Sequence, residues 1–258
     1  MIKFENTEVM NFEGAFRGMR NPLNSWEMSD SEVCPDAVGF EDCKTSSEKC
    51  PRGNDPKWNK AVFCMGANDL DLARRLIKAG SDHRKFLRQI FVSVDITAPL
   101  YWWKEFDTYK VATVANSCST MHKIHAKPIE LSDFSYDDFE IEEYDAGIQL
   151  SLRDLFIDVV SDCESLRRGF LTYDKKAEDA EHFTEAERKH FRAVAKMYWR
   201  GLIQLLPESY NQKRTVTLNY ETLRNMRGSR KGHKLDEWRV DFMNWIDSLP
   251  YAEDLITS

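Results

Sequence analysis

The 258-residue chain has no run of about 18 apolar residues, the length a helix needs to cross a bilayer. Its mean hydropathy is −0.56. A membrane span is therefore not expected. The first residues, MIKFENTEVMNFEG, lack the apolar centre of a signal peptide, so a cytoplasmic protein is expected. Excess positive charge is also missing: 36 Lys and Arg stand against 43 Asp and Glu, a net charge of −7. Broad nucleic-acid binding needs a basic face, and nucleic acid is not expected as a partner. The six cysteines form no C-x-x-C pair. Cys34, Cys43, Cys50 and Cys64 are separated by eight, six and thirteen residues, spacings that fit no usual zinc site. They read as reduced, unrelated thiols, and no metal site is assigned. There is no G-x-G-x-x-G, Walker loop, G-x-S-x-G or H-E-x-x-H, which removes the usual nucleotide, hydrolase and zinc-protease signatures. No internal repeat or low-complexity tract is present.

What is present is organised around Phe86–His122. An apolar run, Ile90–Ile96, reads as a strand. Pro99 breaks it, and Leu100–Phe106 forms one or two helical turns. A polar loop, Thr108–Thr120, follows. A strand feeding a helix and a loop of hydroxyls and amides is a common way to build a small-molecule site. Before it, residues 2–12 read as a strand, Phe12–Met19 as a short helix and Asn68–Ala79 as a helix capped by Asn68 or Asp69 with Gly80 past its end. After it, Ser151–Leu171 and Thr184–Leu206 carry apolar residues at helical spacing, and Thr184 with Glu187 fits a capping box. Gln212–Leu218 reads as a strand, Glu221–Arg230 and Leu235–Ser248 as helices. The expectation is a single α+β domain over 1–258, a small mixed sheet flanked by long helices. Residues 25–59 read as an irregular insertion and 128–150 as an acidic surface connection or short helices.

Several groups carry chemistry. Arg224–Lys234, RNMRGSRKGHK, holds three Arg, two Lys and one His in a chain of net −7. It reads either as a local phosphate pocket or as a solvated face. Trp102 and Trp103 are neighbours on a helical segment, so one of them is expected to turn from the core toward a pocket or interface. His122 and His125 are three apart but read as surface residues. Cys118 near His122 suggests a thiol nucleophile, though no oxyanion partner accompanies it.

With these residues in place, the chain resembles the flavin-dependent thymidylate synthase family. That family has an apolar strand, Ala-Pro, an aromatic helical turn, then R-H-R, seven residues and a Ser. Ala98-Pro99 matches and the following segment aligns without a gap. Lys78-Ala79-Gly80 resembles the family's K-x-G helix end, and Leu206-Pro207 with Asn219 its L-P…N spacing. Within Asn219–Trp238, the residues Leu223, Asn225, Met226, Arg230 and Trp238 fall on family positions, given one inserted residue before Trp238. Arg17 echoes an N-terminal A-x-R-x-S. The R-H-R positions are Thr108, Tyr109 and Lys110. Cys118 stands at the motif Ser between Ser117 and Ser119, Thr120 at an Arg, Asn116 at a Glu, and Glu105 at a Gln. Lys110 keeps a charge but loses the bidentate fork of an arginine.

The resemblance implies the thymidylate-synthase-like fold and a homotetramer with FAD and a pyrimidine nucleotide at subunit interfaces. It also implies NADPH and methylenetetrahydrofolate as co-substrates. It implies Arg230 as the catalytic contact to the substrate base. It implies Glu105, Lys110, Asn116, Ser117, Cys118, Thr120 and Arg230 as nucleotide contacts. Thr108, Tyr109, Lys110, Asn219 and Asn225 would be flavin contacts. Independently of the resemblance, a fixed cation beside a pyrimidine carbonyl stabilises negative charge as the ring is activated. Three readings follow: a flavin-dependent enzyme transferring a one-carbon group to dUMP or a relative, a non-catalytic nucleotide-binding protein on the same scaffold, and an oligomeric interaction protein without a ligand.

Overall fold

The computed structural model describes residues 2–34, 62–139, 142–145 and 148–258. Cys43, Cys50 and most of the 25–59 insertion lie outside them. The described elements are, in order, β1 (Lys3–Met10), α1 (Phe12–Arg20), β2 (Glu32–Cys34), β3 (Val62–Cys64), α2 (Ala67–Lys78), β4 (Phe91–Pro99), α3 (Leu100–Phe106), β5 (Val114–Ser117), β6 (Glu142–Asp145), β7 (Ile148–Ser151), α4 (Leu152–Glu178), α5 (Glu185–Leu205), β8 (Asn211–Asn219), α6 (Tyr220–Arg230) and α7 (Met243–Asp247). The chain forms two compact units. One comprises Ile2–Ile96, Thr108–Asn116 and Thr215–Ser258, and the other Thr97–Asp107 and Ser117–Arg214. They are called below the sheet unit and the helical unit.

The main sheet has the order β1-β4-β8-β5. In β4 alternate residues are buried, Val92, Val94, Ile96 and Ala98. This period of two, in a β-branched run, makes a strand of a segment that apolar content alone would leave ambiguous. The sheet unit's core is aromatic. Phe12 stacks on Phe63 at 5.6 Å and meets Tyr220 and Tyr251 edge-on. The buried Tyr220 donates its hydroxyl to Pro250 O at 2.7 Å. α1 is fixed to α2 by a buried ion pair, Arg20 Nε to Asp69 Oδ1 at 2.5 Å. Burial acts to raise the Asp69 pKa, but hydrogen bonds from Ser31, Ser29 and Arg20 hold it below the usual carboxylate value. Asp69 was expected to cap α2, as was Asn68. Instead Gly66 is the N-cap residue and Asp30 does the capping, its carboxylate accepting from the amides of Asn68 and Asp69. A carboxylate from a separate segment can satisfy the same orphan donors. Gly80 adopts φ +106°, where a side chain would be strained.

The helical unit is an α4–α5 hairpin over a core of Ile124, Ile129, Phe134, Phe156, Val160, Cys163 and Leu202. The capping box at the head of α5 forms as expected: Thr184 Oγ1 accepts from Glu187 N, and Glu187 Oε2 accepts from Thr184 N at 2.8 Å. The helices approach closely at Gly169, where a Cβ would lie 2.4 Å from the Tyr198 ring. α4 runs to Glu178, seven residues past the expected Leu171. The acidic 128–150 segment is more than a surface connection: Ile129 and Phe134 are buried, and β6 pairs with β7 as an antiparallel hairpin. Its charges hid a minority of core residues.

Pro99 ends β4, and α3 starts directly after it. The first amides of α3 donate to backbone, Leu100 N to Tyr210 O at 3.0 Å and Tyr101 N to Glu208 O at 3.1 Å. Trp102 and Trp103 are both fully buried, contrary to the expectation that one turns outward. Trp102 packs on Phe106 at 5.1 Å, while Trp103 donates Nε1 to Gln212 O at 3.0 Å and is covered by the Arg214 guanidinium 4.2 Å above its ring. A short helix enclosed on two sides buries neighbours that a helix lying on one surface would separate.

Candidate functional site

In the sheet unit the site grows from the two ends of α6. At the start, Asn219 Oδ1 accepts from Thr222 N at 2.9 Å. This N-cap is worth about 0.5–2 kcal/mol. At the end, in the last turn, stands Arg230, where a cation suits the helix dipole. Its Nε donates to the Tyr109 hydroxyl at 2.8 Å. Its guanidinium carbon lies 5.3 Å from the Tyr109 ring centroid and 4.9 Å from that of Trp238. Trp238 is fully buried and sits in a π-helical turn, Glu237–Phe242, a feature frequent at functional sites. The Arg230 cation thus donates to the Tyr109 hydroxyl and faces the Tyr109 and Trp238 rings, ring contacts of about 0.5–2 kcal/mol each.

The loop that brings Tyr109 here is fixed by its backbone. Lys110 N donates to Thr108 O at 3.2 Å, and Thr222 Oγ1 donates to Val111 O at 3.4 Å. Ala112 takes φ +55°, a left-handed conformation costly for a non-glycine and held only where surrounding structure imposes it. Thr108, Lys110 and Asn116 are exposed, Tyr109 half-buried. Asn225 is exposed on α6 and lines a cavity with Arg224, Arg227 and Lys231. Arg17 lines a recess of about 320 Å³ with Glu13, Phe12 and Phe63. The structure therefore joins Tyr109 to Arg230, and sets Asn219 and Asn225 at different points of the same helix.

In the helical unit, Glu105 is half-buried on α3, Ser117 and Cys118 are exposed, and Thr120 is half-buried. The backbone of Cys118 is pinned on both sides. Its N–H donates to Lys213 O at 2.9 Å, and its carbonyl accepts from Gln212 Nε2 at 2.6 Å. Gln212 Oε1 accepts from Arg214 Nε at 2.9 Å, and Arg214 Nη1 reaches Asp107 Oδ1 at 2.7 Å. Asp107, Arg214 and Gln212 thus form a chain that holds the Cys118 carbonyl. No sequence signal marked them, because Arg214 is one cation in a strand and its partners are distant in sequence. Cys163, by contrast, is buried; burial, with Asp162 adding, pushes its thiol up to about 11, so it stays protonated and inert. No group of three metal-binding side chains occurs among the described residues. No helix there is long and apolar enough to cross a membrane.

The chain is similar over nearly its whole length to the flavin-dependent thymidylate synthase ThyX of Helicobacter pylori solved with FAD and dUMP. The identity is 14% over 98% of this chain and 97% of that one, with a TM-score of 0.53. The fold is that of the flavin-dependent thymidylate synthases. A second structure of the same ThyX with FAD and dUMP gives 14% identity, 99% and 95% coverage and a TM-score of 0.52. PolB of Streptomyces cacaoi, a UMP/dUMP methylase bound with 5-Br dUMP, gives 13%, 100% and 95%, and 0.51. At such identities the likeness concerns fold. No protein-family model matches the sequence, and no curated protein matches it. The ThyX-like fold agrees with the α+β architecture expected from Ala98-Pro99 and the Asn219–Trp238 segment.

Proposed function

We propose that this chain is a flavin-dependent, thymidylate-synthase-like enzyme that transfers a one-carbon group to a pyrimidine deoxynucleotide, dUMP or a relative. The observation that carries the reading is Arg230, fixed by the Tyr109 hydroxyl and faced by Trp238, in a chain whose fold matches proteins solved with dUMP or its 5-bromo analogue. In this reading Arg230 contacts the base and stabilises the negative charge that develops on it. Glu105, Lys110, Asn116, Ser117, Cys118 and Thr120 contact the nucleotide. The enzyme is a cytoplasmic homotetramer using methylenetetrahydrofolate and NADPH.

In this reading the exposed Lys110 and Asn225 would offer donors to a flavin's diphosphate, Thr108 would meet its hydroxyls and the half-buried Tyr109 ring its flat ring system. Asn219 is buried with its oxygen capping α6, so it would contact a flavin only through its amide group. A bound flavin, once reduced by NADPH, would supply the reducing equivalents for the transferred carbon. The chain's own residues bind and orient the nucleotide and hold charge beside its base.

A second reading is a non-catalytic nucleotide-binding protein on the same scaffold. It is favoured by one observation: the Tyr109 hydroxyl and the Asn219 carboxamide oxygen are both engaged within the chain. One experiment separates the two. Yellow purified protein with an absorbance band near ~450 nm supports the flavoenzyme. Colourless protein whose Tm rises with dUMP supports the binder, because a ligand of the native state stabilises it. If neither is seen, and flavin added in excess also fails to bind, the first reading falls.

A further inference from the structure

The chain leaves the helical unit after Asp107 and re-enters it at Ser117. One arginine is tied to both points. At the C-cap of α3, Asp107 Oδ1 accepts from Arg214 Nη1 at 2.7 Å. Arg214 Nε donates to Gln212 Oε1 at 2.9 Å, and Gln212 Nε2 donates to the Cys118 carbonyl at 2.6 Å. We propose that Arg214 is a positioning residue of the nucleotide site. It is a clasp on the two ends of the 108–117 stretch that, through Gln212, sets the Cys118 backbone for contact with the nucleotide. This rests on the reading of Ser117, Cys118 and Thr120 as nucleotide contacts, and Arg214 itself touches no ligand in it.

The surroundings suit an arginine used for placement. Its side chain is 13% exposed and its guanidinium lies 4.2 Å over the fully buried Trp103 ring. The same indole donates Nε1 to Gln212 O at 3.0 Å, so both members of the relay are anchored on one rigid ring. A planar guanidinium presents Nε and Nη1 at a fixed separation, which the single ammonium of a lysine does not. It also decides how Gln212 is turned. A guanidinium has no acceptor, so the carboxamide oxygen must face Arg214, and this leaves the NH₂ group for the Cys118 carbonyl. The Asp107 side chain is 54% exposed, and an ion pair so open to water adds little stability. Its effect is therefore geometric. Cys118 is gripped from both sides, because its N–H also donates to Lys213 O at 2.9 Å. Fixing the ends of a loop removes conformational freedom before a ligand arrives, and so lowers the ordering cost of binding.

The test uses the full chain, hydrogen-exchange mass spectrometry of peptides spanning residues 117–121, and calorimetric titration of dUMP. The Cys118 amide, bonded to Lys213 O, is the reporter. Gln212→Leu and Arg214→Gln are each expected to speed exchange there several-fold while exchange along α4 and α5 keeps its wild-type rate. Each is expected to weaken dUMP by about three- to tenfold, the scale of one lost hydrogen bond. Because Arg214 acts through Gln212, the double variant is expected to match Gln212→Leu rather than to add to it. Arg214→Lys keeps a charge for Asp107 without the fork, and is expected to behave as Arg214→Gln at Cys118. Should the Gln212 and Arg214 variants not fold, Asp107→Asn, at an exposed side chain, is expected to fold and to move both readouts in the same direction by a smaller factor. Wild-type exchange at 117–121 in the folded variants, or additive losses in the double variant, overturns the proposal. Faster exchange with unchanged dUMP affinity overturns it too. A wild-type chain that takes up no dUMP overturns the nucleotide reading and the positioning role with it, whereas dUMP binding lost in Arg230→Ala but kept in the Arg214 variants overturns the positioning role alone.

Discussion

Arg230→Ala should weaken nucleotide binding without unfolding the chain. The side chain makes two kinds of contact. Toward its own chain it donates a hydrogen bond of 2.8 Å to Tyr109, among other contacts, and faces two rings at 4.9 and 5.3 Å. These set its position and affect stability. Toward a nucleotide it would supply a charge-assisted hydrogen bond, worth about 1–3 kcal/mol once desolvated. That corresponds to about 5–150-fold in Kd. Tyr109→Phe separates the two, since it keeps the ring and removes only the acceptor. It should cost about 1 kcal/mol or less, a few-fold in Kd, through looser placement of the guanidinium. Calorimetric titration of dUMP into wild type, Arg230→Ala, Arg230→Lys and Tyr109→Phe should give affinities in the order wild type, Tyr109→Phe, Arg230→Lys, Arg230→Ala. Arg230→Lys keeps the charge and loses the fork, hence its intermediate place. Wild-type affinity in a folded Arg230→Ala variant would remove Arg230 from the site and refute the reasoning.

Other expectations concern the scaffold and the rewritten motif. Asp69→Asn breaks the buried pair with Arg20 and should cost about 3–5 kcal/mol in urea denaturation at pH 7. The folded pKa of Asp69 is depressed, so its stabilisation is present above the ordinary carboxylate value and is lost as pH falls through the folded one. The gap between wild type and variant should therefore narrow in acid, and a gap independent of pH would contradict the ion-pair account. Gly169→Val should destabilise by about 1–3 kcal/mol, because its side chain meets the Tyr198 ring; an unchanged Tm would mean α4 and α5 separate easily. Thr108→Arg with Tyr109→His and Lys110→Arg should tighten FAD binding, read by quenching of flavin fluorescence. No gain would mean the pocket has changed beyond those three positions.

The legible parts of the sequence were local. The strand over the apolar run Ile90–Ile96, the Thr184–Glu187 capping box and the Pro99 boundary are each written within a few residues, and each formed. The ThyX-like fold was legible through Ala98-Pro99 and the α6 segment. What stayed hidden depends on distant partners. Asp30 caps α2 from 38 residues away, and Tyr109 meets Arg230 across 121. The Asp107–Arg214–Gln212 chain that pins Cys118 joins β8 to the end of α3. Trp102 and Trp103 were misread because the rule that adjacent helical residues diverge assumes one packed face. In the 128–139 stretch a short helix forms at Leu131–Asp133, but the core positions of Ile129 and Phe134 were hidden among carboxylates that outnumber them.

Mass spectrometry of the small molecules released from the purified, freshly denatured protein tests the central claim most directly. The account predicts FAD, a pyrimidine deoxynucleotide, or both, at a substantial fraction of the protein concentration, with the nucleotide depleted in Arg230→Ala. A protein that releases neither, and that takes up neither FAD nor dUMP when both are supplied in excess, would contradict it.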